Sequence, residues 1–135
     1  MERRDFITNI GHAVAFMCAG TLLNACSKSS SVPSTTLPFS LDLSADLQTV
    51  GSSKINGSII VVRVGADNVP ESFEALSLIC THQGCGISYQ EADRVLSCPC
   101  HGSVFGLNGN VLQGPAVKPL TKYAVSINNN TLTVS

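Results

Sequence analysis

The sequence has no tryptophan, and aromatic residues make up only 5 % of its 135 positions. Charge is scarce as well, at 13 % of residues where a soluble domain averages about 25 %. Eight Lys and Arg face nine Asp and Glu, and two of the eight, Arg3 and Arg4, stand at the extreme N-terminus. No basic patch is left to follow a phosphate backbone, so nucleic acid is excluded as a partner. There is no Gly-rich phosphate loop, no Ser/His/Asp arrangement and no spare histidine to act as a general base. Beyond the N-terminal segment no apolar run has the length and period of an ordinary helix, and no internal repeat is visible. Disorder is excluded by a hydrophobic content of 44 %. Frequent Ser, Thr, Asn and Gly point instead to a small, turn-rich β domain. Against this background, six cysteines beside three histidines stand out.

Residues 1–26 run from Met-Glu-Arg-Arg-Asp-Phe-Ile through an apolar stretch to Leu23-Asn24-Ala25-Cys26, the order of a cationic region, an apolar region and a small-residue cleavage site. Asn9, His12 and Asn24 make this stretch a poor permanent span of a hydrocarbon core about 30 Å thick. Arg-Arg-Asp-Phe-Ile resembles the twin-arginine export pattern, which serves proteins folded around a cofactor. Leu23-Asn24-Ala25-Cys26 resembles a bacterial lipobox, with Asn24 a less usual residue there. These resemblances imply a signal peptide over residues 1–25, lipidation of Cys26, and an exported lipoprotein anchored on the periplasmic side of a membrane. More than one acyl chain makes such anchoring stable, since burial contributes about 0.8 kcal/mol per CH₂. Residues 26–40 read as a tether, because Ser27 to Pro38 are too rich in Ser, Thr and Pro to build a core.

Residues 41–135 read as one all-β domain, a small antiparallel sandwich or barrel. Alternating apolar residues predict strands at Ser58–Val64, Ala75–Leu78, Ala124–Ile127 and Thr131–Val134. Gly65–Asn68, Gly106–Asn110 and Asn128–Asn130 predict the breaks between strands.

After Cys26 the remaining cysteines and histidines fall in two short stretches, Cys80-Thr81-His82-Gln83-Gly84-Cys85 and Cys98-Pro99-Cys100-His101-Gly102-Ser103. The pattern predicts two loops facing one site. Four ligands suit a tetrahedral metal or an iron–sulfur pair; each loop can offer a thiolate and an imidazole, with one Cys per loop left over. In an exported chain that leftover pair can close as a bridge.

C-T-H-x-G-C followed by C-P-C-H-G-S resembles the Rieske [2Fe–2S] proteins, and Gly114-Pro115-Ala116, Pro119-Leu120 and Tyr123 match the same family downstream. The resemblance implies a Rieske fold with a cluster-binding subdomain of two loops and one [2Fe–2S] cluster per chain. Cys80 and Cys98 would bind the buried iron as thiolates and His82 and His101, at the loop tips, the outer iron through imidazole nitrogens. Cys85 and Cys100 would form a disulfide clasping the loops. Ser103 would donate to a bridging sulfide, and Gly114 and Pro115 would belong to a loop covering the cluster from a third side. The disulfide is similar to that of the high-potential branch, found with cytochrome bc complexes and arsenite oxidase, whereas ferredoxins of ring-hydroxylating oxygenases usually lack it.

Two positions depart from the family pattern. Gln83 stands where quinol-oxidising members often have Leu, which argues against docking on a cytochrome b. Phe105 stands where the family often has a Tyr whose hydroxyl bonds a ligand cysteine. The function implied is one-electron transfer by a membrane-tethered protein to a cytochrome or an oxidoreductase subunit. The alternative is a Rieske subunit of a quinol–cytochrome c or arsenite oxidase complex, with quinol as a further partner. A Cys₂His₂ zinc domain would leave the other two cysteines and Ser103 unexplained, and a metal-free scaffold of two disulfides would give His82 and His101 no purpose.

Overall fold

A computed structural model describes residues 33–135. The signal-peptide reading and Cys26 lie outside the described residues. Among those described, no helix is long and apolar enough to cross a membrane.

Three antiparallel sheets make up the fold. In chain order the strands are β1 (Phe39–Asp42), β2 (Ser53–Asn56), β3 (Ile59–Arg63), β4 (Phe73–Ser77), β5 (Ser88–Gln90), β6 (Val95–Ser97), β7 (Val104–Gly106), β8 (Val111–Gln113), β9 (Lys122–Tyr123), β10 (Val125–Asn128) and β11 (Thr131–Val134). Their orders are β1-β11-β10, β2-β3-β4-β9 and β5-β6-β7-β8. One 3₁₀ turn, Pro70–Ser72, leads into β4.

The second of these sheets is the central layer, and its sequence shows why. Every residue of β3 is buried, as an uninterrupted Ile-Ile-Val-Val run requires when both faces of a strand are covered. Successive side chains point to opposite faces. Ile60 and Val62, with Leu76 and Leu78, enter a core that includes Leu96, Phe105 and Leu120. Ile59 and Val61, with Phe73 and Ala75, enter a second core that includes Leu43, Leu132 and Val134. The β5–β8 sheet therefore covers one face of the central layer, and the β1-β11-β10 sheet the other. Arg63 closes the far end of β3, where its guanidinium donates to the carbonyls of Leu47, Gly65 and Ala66.

The structure extends the sequence reading in several places. The four predicted strands fall on β3, β4, β10 and β11, and the Asn128–Asn130 break is a two-residue turn with Asn129 at a left-handed φ of 54°. Phe39 and Ser40, assigned above to the tether, instead lie in β1 and pair with Val134 and Thr133. The alternation of Phe39 and Leu41 explains this, since both pack against the second core.

Candidate functional site

The two Cys/His stretches are the loops at one end of the molecule, between β4 and β5 and between β6 and β7. A repeat invisible in the sequence appears in their backbones. In the first loop Cys80 N–H donates to Cys85 O at 2.7 Å and Gly84 N–H to Cys80 O at 2.9 Å. In the second, Cys98 N–H donates to Ser103 O at 2.8 Å and Gly102 N–H to Cys98 O at 3.0 Å. Gly84 and Gly102 hold the same station, with φ of 72° and 79°, a left-handed conformation that glycine adopts without the Cβ clash of other residues. Each loop is thus a closed turn whose first residue is a cysteine held at the edge of the core. The sequence hides the repeat because the side chains at matching stations differ: Cys85 matches Ser103, and His82 matches Cys100.

This geometry brings Cys80 and Cys98 together as free, buried thiols, 3 % and 2 % exposed. Burial, and then the Cys80 thiol, push the Cys98 thiol above its ordinary value, while the backbone N–H groups of Cys100 and His101 pull it down by bonding its sulfur. Those amides are suited to a negative sulfur, which a metal's positive charge would produce. His82 and His101 are exposed on the outer side, with ring centroids 4.9 Å apart and planes at 86°. Cys85 and Cys100 form a disulfide with Cα atoms 6.5 Å apart, joining the two loops.

A third segment fastens both loops. Thr81 Oγ1 donates to Lys118 O at 2.7 Å, Gln113 Nε2 donates to Gly102 O at 3.0 Å, and Ala116 N–H donates to Ser103 Oγ at 3.0 Å. Gly114 and Pro115 form the exposed outer part of this segment, and the buried contact is made by the next residue, Ala116. Ser103 is fully buried. With one lone pair taken by Ala116 N–H, its O–H remains able to donate inward. Phe105, also fully buried, pairs with Leu96 across β6 and β7 and belongs to the core that contains Cys80 and Cys98. Sequence reasoning missed Thr81, Gln113 and Lys118, since neither a polar side chain in a loop nor a backbone carbonyl announces a partner 11 or 37 residues away.

The donor chemistry fits an iron–sulfur pair better than a single ion. A tetrahedral zinc with Zn–S near 2.3 Å draws its donors to within about 4 Å of each other. Among the described residues, the His/Cys/Asp/Glu group with all donor atoms within 4.8 Å is Cys85, Cys98 and Cys100, two of which are bonded to each other. Cys80, His82, Cys98 and His101 are instead arranged as two thiols behind two imidazoles. That spread suits donors divided between two irons.

Comparison with known proteins supports a [2Fe–2S] cluster as the cofactor. The family described as "Rieske [2Fe-2S] domain" matches residues 38–124. The cytochrome b6-f complex iron-sulfur subunit of Chlorobaculum tepidum is 37 % identical over 89 residues, 63 % of this chain and 46 % of that protein. The match thus spans about a third to a half of the length of the cytochrome b6-f subunits that the chain resembles. The crystal structure of the cyanobacterial plasma membrane Rieske protein from Synechocystis PCC 6803 is similar at a TM-score of 0.60 and 31 % identity, covering 72 % of this chain and 98 % of that one. A chain of a hyperthermophilic respiratory Complex III shares the fold at a TM-score of 0.55 and 24 % identity, covering 82 % of each chain.

Proposed function

The chain belongs to the Rieske [2Fe–2S] domain family, and on that premise we propose that it is a membrane-tethered one-electron carrier in which Cys80 and Cys98 hold the inner iron and His82 and His101 the outer one. The observation that carries the reading is the pairing of two buried thiols behind two exposed imidazoles, closed by the Cys85–Cys100 bridge. When bound, the [2Fe–2S] cluster supplies one-electron chemistry at a potential set by its ligands and their hydrogen bonds. The protein's part is division of labour by depth. Cys80 and Cys98 keep the inner side dry, and the amides of Cys100 and His101 stabilise negative charge on Cys98 sulfur. His82 and His101, at the loop tips, give an electron a short way out to a partner.

Substrate chemistry is assigned to the partner, a cytochrome or an oxidoreductase subunit. Cys26 supplies the tether as a lipid anchor, and the twin-arginine-like segment exports the domain to the periplasmic side. The test is direct: labelled palmitate is incorporated into the wild-type chain and is absent from Cys26→Ser. A full-length, uncleaved, unlabelled membrane protein would overturn the lipid anchor.

A second reading, a subunit of a quinol-oxidising complex, is favoured by the similarity to cytochrome b6-f iron-sulfur subunits. Gln83, exposed beside His82, puts a polar amide where such members often carry Leu. Co-purification of a b-type cytochrome with the membrane-extracted chain would favour the complex, and isolation of the chain alone would favour the carrier.

A further inference from the structure

Residues 33–38 precede the first strand and have no regular structure; all but Thr35 are exposed. The hydrogen bonds that tie this segment to the rest of the described chain run through Thr35. Its hydroxyl donates to Asn56 O at 2.6 Å and accepts from Ser58 N–H at 2.8 Å, with Ser58 Oγ 3.4 Å away. The hydroxyl is thereby seated in the two-residue turn between β2 and β3. Gly57, at φ 58°, makes the seat possible, because a Cβ there would come within 2.3 Å of Thr35 Oγ1.

The seat has a definite place in the fold. Ser58 O accepts from Leu78 N–H at 2.7 Å, and Leu78 O accepts from Ile87 N–H at 2.9 Å. Leu78 stands two residues before Cys80 and Ile87 two after Cys85, so this row of bonds brackets the first Cys/His loop. Thr35 therefore fastens the N-terminal connector at the loop end of the central sheet.

We propose that residues 33–38 are a strap fastened to the domain, among the described residues, by the hydrogen bonds of Thr35, which holds the connector beside the loop end of the domain and lengthens the domain's reach when it releases. With the strap closed, Cys26 is nine residues from its attachment, at most about 30 Å. With it open, the first fixed residue is Phe39, thirteen residues away and at most about 45 Å. The difference in reach rests on Cys26 as anchor; the strap itself rests on contacts among described residues.

The experiment is amide hydrogen exchange on the full-length, cluster-loaded chain as wild type, Thr35→Ser and Thr35→Val. Exchange of the Ser58 amide should rise at least tenfold in Thr35→Val and stay within threefold of wild type in Thr35→Ser, since only the hydroxyl makes the bond. The amides of Ile60 and Leu76 and the EPR spectrum should be unchanged in both. Unaltered protection of Ser58 in Thr35→Val would overturn the strap. So would loss in Thr35→Ser as well, or a parallel rise at Ile60 and Leu76, which would make Thr35 a general support of the sheet. Failure of the anchor reading has a separate signature, a wild-type chain that takes up no palmitate label while Ser58 exchange is as expected here.

Discussion

At the scale of single residues, the site is tuned by what surrounds the sulfurs. A hydroxyl bonded to a ligand thiolate withdraws negative charge and favours the reduced cluster, so it raises the midpoint potential. Phe105 is fully buried in the core that contains Cys80 and Cys98 and supplies no such hydroxyl. Phe105→Tyr should raise the midpoint by some tens of millivolts. The upper limit is about 60–130 mV, because a hydrogen bond to a charged group contributes about 1.5–3 kcal/mol and 59 mV corresponds to about 1.4 kcal/mol for one electron. Ser103→Ala should shift it the other way. That variant also leaves the buried Ala116 N–H without its acceptor, at a stability loss of about 1–3 kcal/mol. Protein-film voltammetry on the full chain checks both directions; a lower midpoint in Phe105→Tyr would contradict this account of tuning. The Cys and His residues of the two loops stood out in the sequence because, after Cys26, cysteine and histidine occur nowhere else in it. Ala116 was not singled out as a contact, since its part is played by a backbone amide.

At the scale of elements, legibility followed strand length and burial. β3 carries an uninterrupted apolar run, and β4, β10 and β11 enough apolar alternation, to be read directly. Three-residue strands such as β6 (Val-Leu-Ser) and β7 (Val-Phe-Gly) are too short to show a period, and they exist because each pairs with a neighbour. The loop repeat was hidden for a different reason: it resides in backbone hydrogen bonds and in Gly84 and Gly102, while its side chains have diverged. The bridge between the loops stabilises by restricting the unfolded chain. For the 15-residue separation of Cys85 and Cys100 the expected contribution is about 3 kcal/mol. Cys85→Ser should therefore still load a cluster but lose its visible absorbance at a lower temperature than wild type; equal thermal loss would show that the loops are held without the bridge. In the β5–β8 sheet, Tyr89 of β5 packs against the core that contains Cys80 and Cys98 and donates its hydroxyl to Gly51 O at 2.9 Å. Burial, opposed by Arg94 and reinforced by Glu91, raises its phenol above the ordinary 10.0. The folded state thus favours the neutral phenol, and the unfolded chain releases its proton first. This contribution to stability is present below about pH 10 and is lost as pH rises toward the raised value. Thermal unfolding of Tyr89→Phe should show a loss of about 1 kcal/mol at pH 8 and a smaller further loss between pH 8 and 11 than wild type; identical alkaline slopes would contradict the assignment.

At the scale of the whole molecule, the three layers explain how a domain with few aromatics and little charge supports a precise site. Strands β3 and β4 of the central sheet are covered on both faces, and the β5–β8 sheet and the two loops are built outward from one of its cores. That core contains Cys80 and Cys98 themselves, so packing and ligand position are one problem. The family resemblance already implied thiols inside and imidazoles at the loop tips; the layering supplies the physical reason, since the core from which the loops rise contains Cys80 and Cys98. The central claim is mixed ligation by Cys80, Cys98, His82 and His101, and EPR of the reduced, full-length chain, with metal and sulfide analysis of the same sample, tests it most directly. The account predicts two irons and two sulfides per chain and a spectrum with the low average g of a His/Cys-ligated [2Fe–2S] cluster, lost or transformed in His101→Ala. A colourless chain with one zinc, or a spectrum unchanged in His101→Ala, would contradict it.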